Sequence, residues 1–246
     1  MVSIFHVEVL VLRNLEIALG ISMDSVCYDG ISVVNKRRIN MDGVLLKRRH
    51  IGSEMVYIAV ICDGVGSMAD GEFASAEAIR LTGEWLDGLS DTRRIELKML
   101  ALIKEINEAV FASGKKGLKT ASTYSALLLC GSRYYIVHAG DSRVYRRMHG
   151  ELRKMTPDHS TGGKLTSYIG KSGDMDVFYD EGEYNGELFL LCSDGLYKRV
   201  SSAQIGQVIA GVNKKNIHGV LKELVQIAIE HGEQDNISAA ILLAEN

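Results

Sequence analysis

VYIAVICDGVGS, residues 56–67, is the stretch that indicates the fold of this 246-residue chain most clearly. Its apolar residues run without interruption from Val56 to Cys62. A run of this kind, rich in valine and isoleucine, is typical of a strand that is buried on both faces. The run ends at Asp63, and a glycine follows directly. A carboxylate at this point lies at the rim of a sheet, where the core holds it and solvent still reaches it.

Three other aspartates stand beside apolar runs in the same way. Asp141 follows YYIVHAG, Asp194 follows ELFLLCS, and Asp235 precedes NISAAILL. A single Asp-Gly or Asp-Ser pair after a strand is an ordinary turn signal. Four rim carboxylates from distant parts of the chain, if they converge, form an oxygen-rich site for divalent cations. Such a site suits metal-assisted chemistry on phosphates.

The composition is that of an ordinary globular protein. The hydrophobic fraction is 46%, and the formal net charge of −3 gives no electrostatic attraction for nucleic acid or an anionic membrane. Four cysteines without a CxxC pair favour reduced core thiols over a disulfide or zinc site. No GxxxxGK[ST] or GxGxxG loop argues for a nucleotide-binding enzyme. The apolar N-terminus is too short and too charged to span a bilayer, so we expect a cytoplasmic protein with neither membrane nor nucleic-acid partners.

The order of the predicted elements indicates an α+β fold. Short strands within residues 22–62 precede two helices with apolar faces at 78–86 and 95–110. A strand meander at 124–155 and a strand at 187–192 follow. A Ser201/Gln204 capping box then opens the first of two further helices, before a last strand at 237–244. Blocks of strands and helices favour layers over a parallel sheet. We expect one domain over residues 1–246, with a core at about 22–243 and an extension or edge strand at 1–21.

Seven segments resemble, in order, the motifs of the metal-dependent protein phosphatases of the protein phosphatase 2C type, in their compact bacterial form. They are RRINMD (37–42), DGVGS (63–67), AST (121–123), HAGDSR (138–143), TPDHS (156–160), CSDGL (192–196) and DNIS (235–238). Each segment is a weak signal alone, whereas the ordered set is a strong one. The resemblance implies a four-layer α-β-β-α sandwich. Two antiparallel sheets would pack face to face between helices, with a metal site at one end of the sheets.

The resemblance also implies a site for two Mn²⁺ or Mg²⁺ ions. Asp63 would bridge both ions, and the backbone carbonyl of Gly64 would bind one of them. Asp194 and Asp235 would hold the other ion. Asp141, together with Asp194, matches a weaker third-metal position.

The implied reaction is the hydrolysis of phosphoserine and phosphothreonine in proteins through a water activated at the metals. It would reverse the action of a cognate serine/threonine kinase. Arg37 matches the arginine that grips the substrate phosphate, a role that suits a planar and permanently charged guanidinium. The alternative is that Arg37 belongs to a solvated basic cluster with Lys36 and Arg38.

Three departures from the motifs bear on activity. Met41 stands where the family has Glu or Gln, so one metal loses an oxygen partner that Asp42 could replace through water. Ser67 replaces a glycine of the metal loop. The stretch between His159 and Ser193 leaves almost no flap beside the substrate groove. These departures keep an alternative open, a weakly active or inactive relative that binds phosphorylated proteins as a regulatory module.

Overall fold

The computed structural model describes residues 4–5, 26–66, 70–114 and 120–244. These residues form two large antiparallel sheets, a small hairpin and helices on both outer faces. The α-β-β-α sandwich predicted from the sequence is therefore confirmed. The prediction of one domain over residues 1–246 stays a prediction.

The first sheet has six strands in the order β1-β2-β13-β12-β7-β8, and all its neighbours are antiparallel. Its strands are β1 (Ile4–Phe5), β2 (Val26–Val33), β7 (Arg143–Met148), β8 (Glu151–Lys154), β12 (Leu188–Cys192) and β13 (Ile237–Ala244). The short β1 forms one edge of this sheet by pairing with β2.

The second sheet has five strands in the order β11-β6-β5-β4-β3. They are β3 (Asp42–Ile51), β4 (Glu54–Asp63), β5 (Tyr124–Cys130), β6 (Arg133–Ala139) and β11 (Phe178–Glu183). Residues 56–62, within β4, are each at most 3% exposed, which confirms the buried strand. Tyr57, Ala59 and Ile61 face the other sheet, while the residues between them face the helices.

Helices cover the outer face of each sheet. The five-stranded sheet packs against α1 (Gly71–Gly88) and α2 (Ile95–Ser113). The six-stranded sheet packs against α3 (Asp194–Tyr197), α4 (Ser202–Val208) and α5 (Ile217–Glu230). The predicted capping box opens α4, since Ser201 Oγ accepts from Gln204 N at 3.3 Å and Gln204 Oε1 accepts from Ser201 N at 3.1 Å. Among the described helices, none is long and apolar enough to cross a membrane.

The predicted meander at residues 124–155 is wrong in one respect, because the chain changes sheets between β6 and β7. The change occurs at Gly140, whose φ is +128°. A Cβ at Gly140 would lie 2.5 Å from Cβ of Thr123, so the backbone passes too close there for any side chain. The crossing leaves Asp141 at the rim of the sandwich, between the two sheets.

The sequence analysis also missed β11, which pairs with β6 at the edge of the five-stranded sheet. Its sequence, FYDEGE, carries three charged residues and a glycine and lacks the apolar alternation that marks a half-buried strand. A hairpin of β9 (Ser160–Thr161) and β10 (Lys164–Leu165) precedes it. All three strands lie in the stretch between His159 and Ser193.

Candidate metal centre

The site lies at one rim of the sandwich, where strands of both sheets begin or end. Asp42 opens β3 and Asp63 closes β4, and the two residues stand directly opposite each other in the antiparallel register. In the other sheet β12 ends where β13 begins. Asp194, just after β12, and Asp235, just before β13, therefore come to the same rim.

Hydrogen bonds across the rim join the two sheets. Ser193 Oγ donates to Asp42 Oδ2 at 2.9 Å, so a residue after β12 orients a carboxylate on β3. Met41 N donates to Asn236 Oδ1 at 2.9 Å, and Gly64 N donates to Met41 O at 3.1 Å. The backbone of Met41 is thus fixed between the two predicted metal loops.

Ser193 orients a carboxylate, whereas Asn236 acts mainly on the main chain. Besides its bond to Met41, the Asn236 side chain donates to Val34 O at 3.0 Å and to Ile39 O at 3.1 Å. Its role is therefore to hold the loop that carries Arg37.

A hydroxyl without a role in the sequence analysis fixes Asp63. Asp63 N donates to Thr123 Oγ1 at 2.8 Å, and Thr123 N donates to Asp63 O at 2.9 Å. The same hydroxyl forms a buried hydrogen bond of 2.7 Å with Ser142 Oγ, next to Asp141. Tyr197 OH donates to Asp141 O at 2.9 Å. Only the short AST motif marks Thr123 in the sequence.

The carboxylates are close enough to repel one another. Burial raises the pKa of Asp42 to about 7, and the charges of Asp194 and Asp235 add to the increase. Burial also raises the pKa of Asp63 well above its ordinary value, and the other four carboxylates raise it further. The pKa of Asp141 rises to about 6, through burial and then the charge of Asp194. All five aspartates therefore belong to one electrostatic cluster that is short of positive charge.

Two basic side chains supply part of that charge. Arg37 Nε and Nη2 donate to the two carboxylate oxygens of Asp235, each at 2.8 Å. Lys198 Nζ forms an ion pair with Asp194 Oδ2. Burial would raise the pKa of Asp235, but hydrogen bonds from Arg37 and from its neighbour's backbone N–H lower it below the ordinary value. Arg37 thus reaches the predicted site, where it is bound to a predicted metal ligand.

The donor set fits hard divalent cations. It consists of carboxylates and a backbone carbonyl, the ligands that Mg²⁺ and Mn²⁺ favour. Asp42 Oδ1 is buried without a hydrogen-bond partner among the described residues, as expected of an oxygen that serves a cation or its water. Within the described ranges no three His, Cys, Asp or Glu side chains form a ready metal cluster. In this conformation Asp194 is paired with Lys198, and Asp235 is paired with Arg37.

The metal loop packs tightly against α1. A Cβ at Gly64 would lie 2.3 Å from the carbonyl oxygen of Gly71, so the loop can approach the start of α1 only with glycine there. A Cβ at Gly66 would lie 3.2 Å from Met41 Cε, which places the Met41 thioether beside this loop. Ser67, the other departure in the loop, lies outside the described residues.

Comparisons with a family model and with individual known proteins agree on the family of this chain. Residues 42–236, more than half of the chain, match the family described as Protein phosphatase 2C. The chain is 27% identical over 215 residues to a serine/threonine phosphatase, stp, of Listeria innocua, which covers 76% of this chain and 84% of that protein.

Two solved structures share the fold. The S. agalactiae serine/threonine phosphatase superposes with a TM-score of 0.78 at 22% identity, over 89% of this chain and 100% of that one. The catalytic domain of the serine/threonine protein phosphatase PstP in complex with two manganese ions gives a TM-score of 0.76 at 25% identity, over 90% of this chain and 99% of that one.

Proposed function

The chain belongs to the protein phosphatase 2C family of serine/threonine phosphatases, and we propose that it hydrolyses phosphoserine and phosphothreonine in proteins with two bound Mn²⁺ or Mg²⁺ ions. The observation that carries the proposal is the convergence of five aspartates on one rim, where burial, and then the charges of the other four, raise the pKa of Asp63. A cluster of this kind is costly without cations and becomes a binding site with them.

The proposed ligands are those that the resemblance to the family implies. Asp63, at the centre of the cluster, would bridge both ions, and the Gly64 carbonyl would bind one of them. Asp194 and Asp235 would hold the other. The unpartnered Oδ1 of Asp42 would accept a hydrogen bond from a water of hydration. Ions bound in this way lower the pKa of water and neutralise the negative charge of the transition state.

Arg37 would bind the substrate phosphate. Its side chain is 51% exposed and lies at the rim, within reach of an incoming phosphate ester. The guanidinium now holds the two carboxylate oxygens of Asp235. It would hold two phosphate oxygens in their place, because a guanidinium recognises both groups with the same geometry. This contact would orient the ester for attack by water from the metal side.

The leaving alkoxide would take its proton from water. His138, the nearest histidine in sequence to Asp141, has both ring nitrogens in hydrogen bonds, to Ser125 Oγ at 2.8 Å and to Pro157 O at 2.9 Å. Burial and the neighbouring His159 lower the pKa of His138 to about 3. Its position is therefore that of a structural group and not of a general acid.

The substrates we propose are phosphorylated proteins, and the partner enzyme is a cognate serine/threonine kinase. The similarity to the Listeria serine/threonine phosphatase supports this substrate class. The five aspartates favour catalysis over the alternative, a regulatory module that binds phosphoproteins without turnover. A module of that kind has no need for several half-buried carboxylates that repel one another.

Phosphate release from a phosphothreonine peptide tests the proposal. We expect turnover with Mn²⁺ or Mg²⁺ and none in excess chelator. Asp63→Asn should abolish turnover, because it removes the bridging charge. Asp87→Asn is the matched control. Asp87 lies near the C-terminal end of α1, far from the end that packs against Gly64, and it pairs with Lys47. Full activity in chelator would contradict the proposal. Phosphopeptide binding without turnover at any metal concentration would favour the regulatory module.

A further inference from the structure

Lys198 lies among the site carboxylates, although no sequence motif gives it a role. It follows α3, four residues after Asp194, and its backbone N–H donates to Asp194 O at 3.0 Å. Its ammonium forms an ion pair with Asp194 Oδ2. Burial lowers the pKa of Lys198, but the hydrogen bond to Asp194 and the charges of Asp141 and Asp63 raise it above its ordinary value. The ammonium is therefore held within the field of three predicted metal ligands.

The turn that carries Lys198 is clamped onto the loop of Asp141. Tyr197 OH donates to Asp141 O at 2.9 Å. The guanidinium of Arg143 lies over the Tyr197 ring, 3.5 Å from its centroid. Arg143 is itself held by Asp158, with hydrogen bonds of 2.9 and 2.7 Å. This chain of contacts keeps the base of the Lys198 side chain beside both Asp141 and Asp194.

We propose that the Lys198 ammonium takes the place of a third divalent ion at Asp141 and Asp194, so that this enzyme works with two metal ions. The inference rests on the proposed function. Lys198 engages Asp194 through Oδ2, so Oδ1 would be free to hold one of the two proposed ions. A third ion between Asp141 and Asp194 would meet the ammonium at short range, and the repulsion between them would weaken its binding.

The ordinary alternative is a surface ion pair. The Lys198 side chain is 55% exposed, and an exposed pair of lysine with aspartate four residues apart contributes little. Two observations argue against that interpretation. The Asp194 side chain is only 15% exposed, and Tyr197, the residue before Lys198, donates a hydrogen bond to the backbone of Asp141. The two interpretations differ in the number of metal ions that the site accepts.

The number of Mn²⁺ ions bound per chain separates the two interpretations. Calorimetry and the electron paramagnetic resonance signal of free Mn²⁺ both measure this number. We expect two ions on the wild type. Lys198→Met should bind a third ion at least tenfold more tightly than any third ion on the wild type. Lys198→Arg keeps the positive charge and should bind two ions. Lys222→Met, on the exposed face of α5, is the matched control and should also bind two.

Adding Asp141→Asn to Lys198→Met should remove the third ion. This result would show that the third ion binds between Asp141 and Asp194. Melting temperatures in chelator report folding: Lys198→Met should melt below the wild type, and Mn²⁺ should restore most of the difference. Three ions on the wild type, or an unchanged two on a folded Lys198→Met protein, would overturn this inference alone. A wild type that binds no Mn²⁺ would overturn the proposed function and this inference with it.

Discussion

Thr123→Val tests how Asp63 is held, because valine keeps the shape of threonine and removes only the hydroxyl. Thr123 is 1% exposed, and its hydroxyl pairs with Asp63 N at 2.8 Å and with Ser142 Oγ at 2.7 Å. The substitution leaves both of these groups without that partner. A stranded buried polar group costs about 1–3 kcal/mol. We therefore expect the free energy of unfolding to fall by about 3 kcal/mol.

Thr123→Ser is the matched control, because it keeps the hydroxyl and removes the methyl group that packs near Gly140. The loss of one buried methyl costs about 1 kcal/mol. Urea unfolding in chelator, followed by the fluorescence of Trp85, the single tryptophan of the chain, measures both variants. Valine and serine variants of equal stability would show that the hydroxyl does not hold this site together.

The same pair of variants separates stability from metal binding. Groups that orient metal ligands typically contribute about 10–100-fold to metal affinity. The Mn²⁺ concentration for half-maximal turnover should therefore rise by about tenfold or more in Thr123→Val. In Thr123→Ser it should change little, since Asp63 N keeps its acceptor. An unchanged activation curve for Thr123→Val would refute the idea that this hydroxyl positions Asp63 for metal.

Three further predictions concern charge at the rim. The pKa values of Asp42, about 7, and of Asp141, about 6, lie above their ordinary 3.8. In chelator, the protonated carboxyls therefore stabilise the folded protein fully below pH 3.8, and this stabilisation is lost as the pH rises through 6 to 7. Urea midpoints should then be higher at pH 5 than at pH 7.5, and a higher midpoint at pH 7.5 would contradict the clustering. Arg37→Ala should raise KM for a phosphopeptide by about tenfold and change kcat less; a kcat loss alone would argue against phosphate binding. Met41→Glu should lower the Mn²⁺ concentration for half-maximal activity by supplying a hard oxygen beside Gly66, whereas an unchanged curve with a lower Tm would refute the missing-ligand account.

Local patterns were sufficient to place the predicted ligands at the rim. A buried strand that ends in aspartate and glycine fixes both where the strand stops and which residue lies there. Asp63 and Asp194 follow such strands, and Asp235 precedes one. The strand pattern placed each aspartate at a strand end. That these ends meet at one edge was implied by the ordered family motifs and not by burial.

Contacts between distant segments could not be predicted in the same way. The change of sheet at Gly140 depends on the backbone passing close to Thr123, and nothing in the local sequence specifies that contact. Lys198 follows a one-turn helix without an amphipathic pattern, so its position among the carboxylates becomes visible only in three dimensions. The polar strand β11 is formed by its partner β6 and not by its own composition.

Anomalous diffraction at the manganese edge, from crystals of the wild-type protein grown with Mn²⁺, tests the central claim most directly. The account predicts two strong peaks about 3.5–4 Å apart, both within coordination distance of Asp63. Asp194 should bind the second ion through Oδ1 and keep Lys198 on Oδ2, whereas Asp235 should have left Arg37 and placed one oxygen on the same ion. A protein that binds phosphopeptide but shows no manganese peak at Asp63, or shows its peaks elsewhere on the surface, would contradict the account.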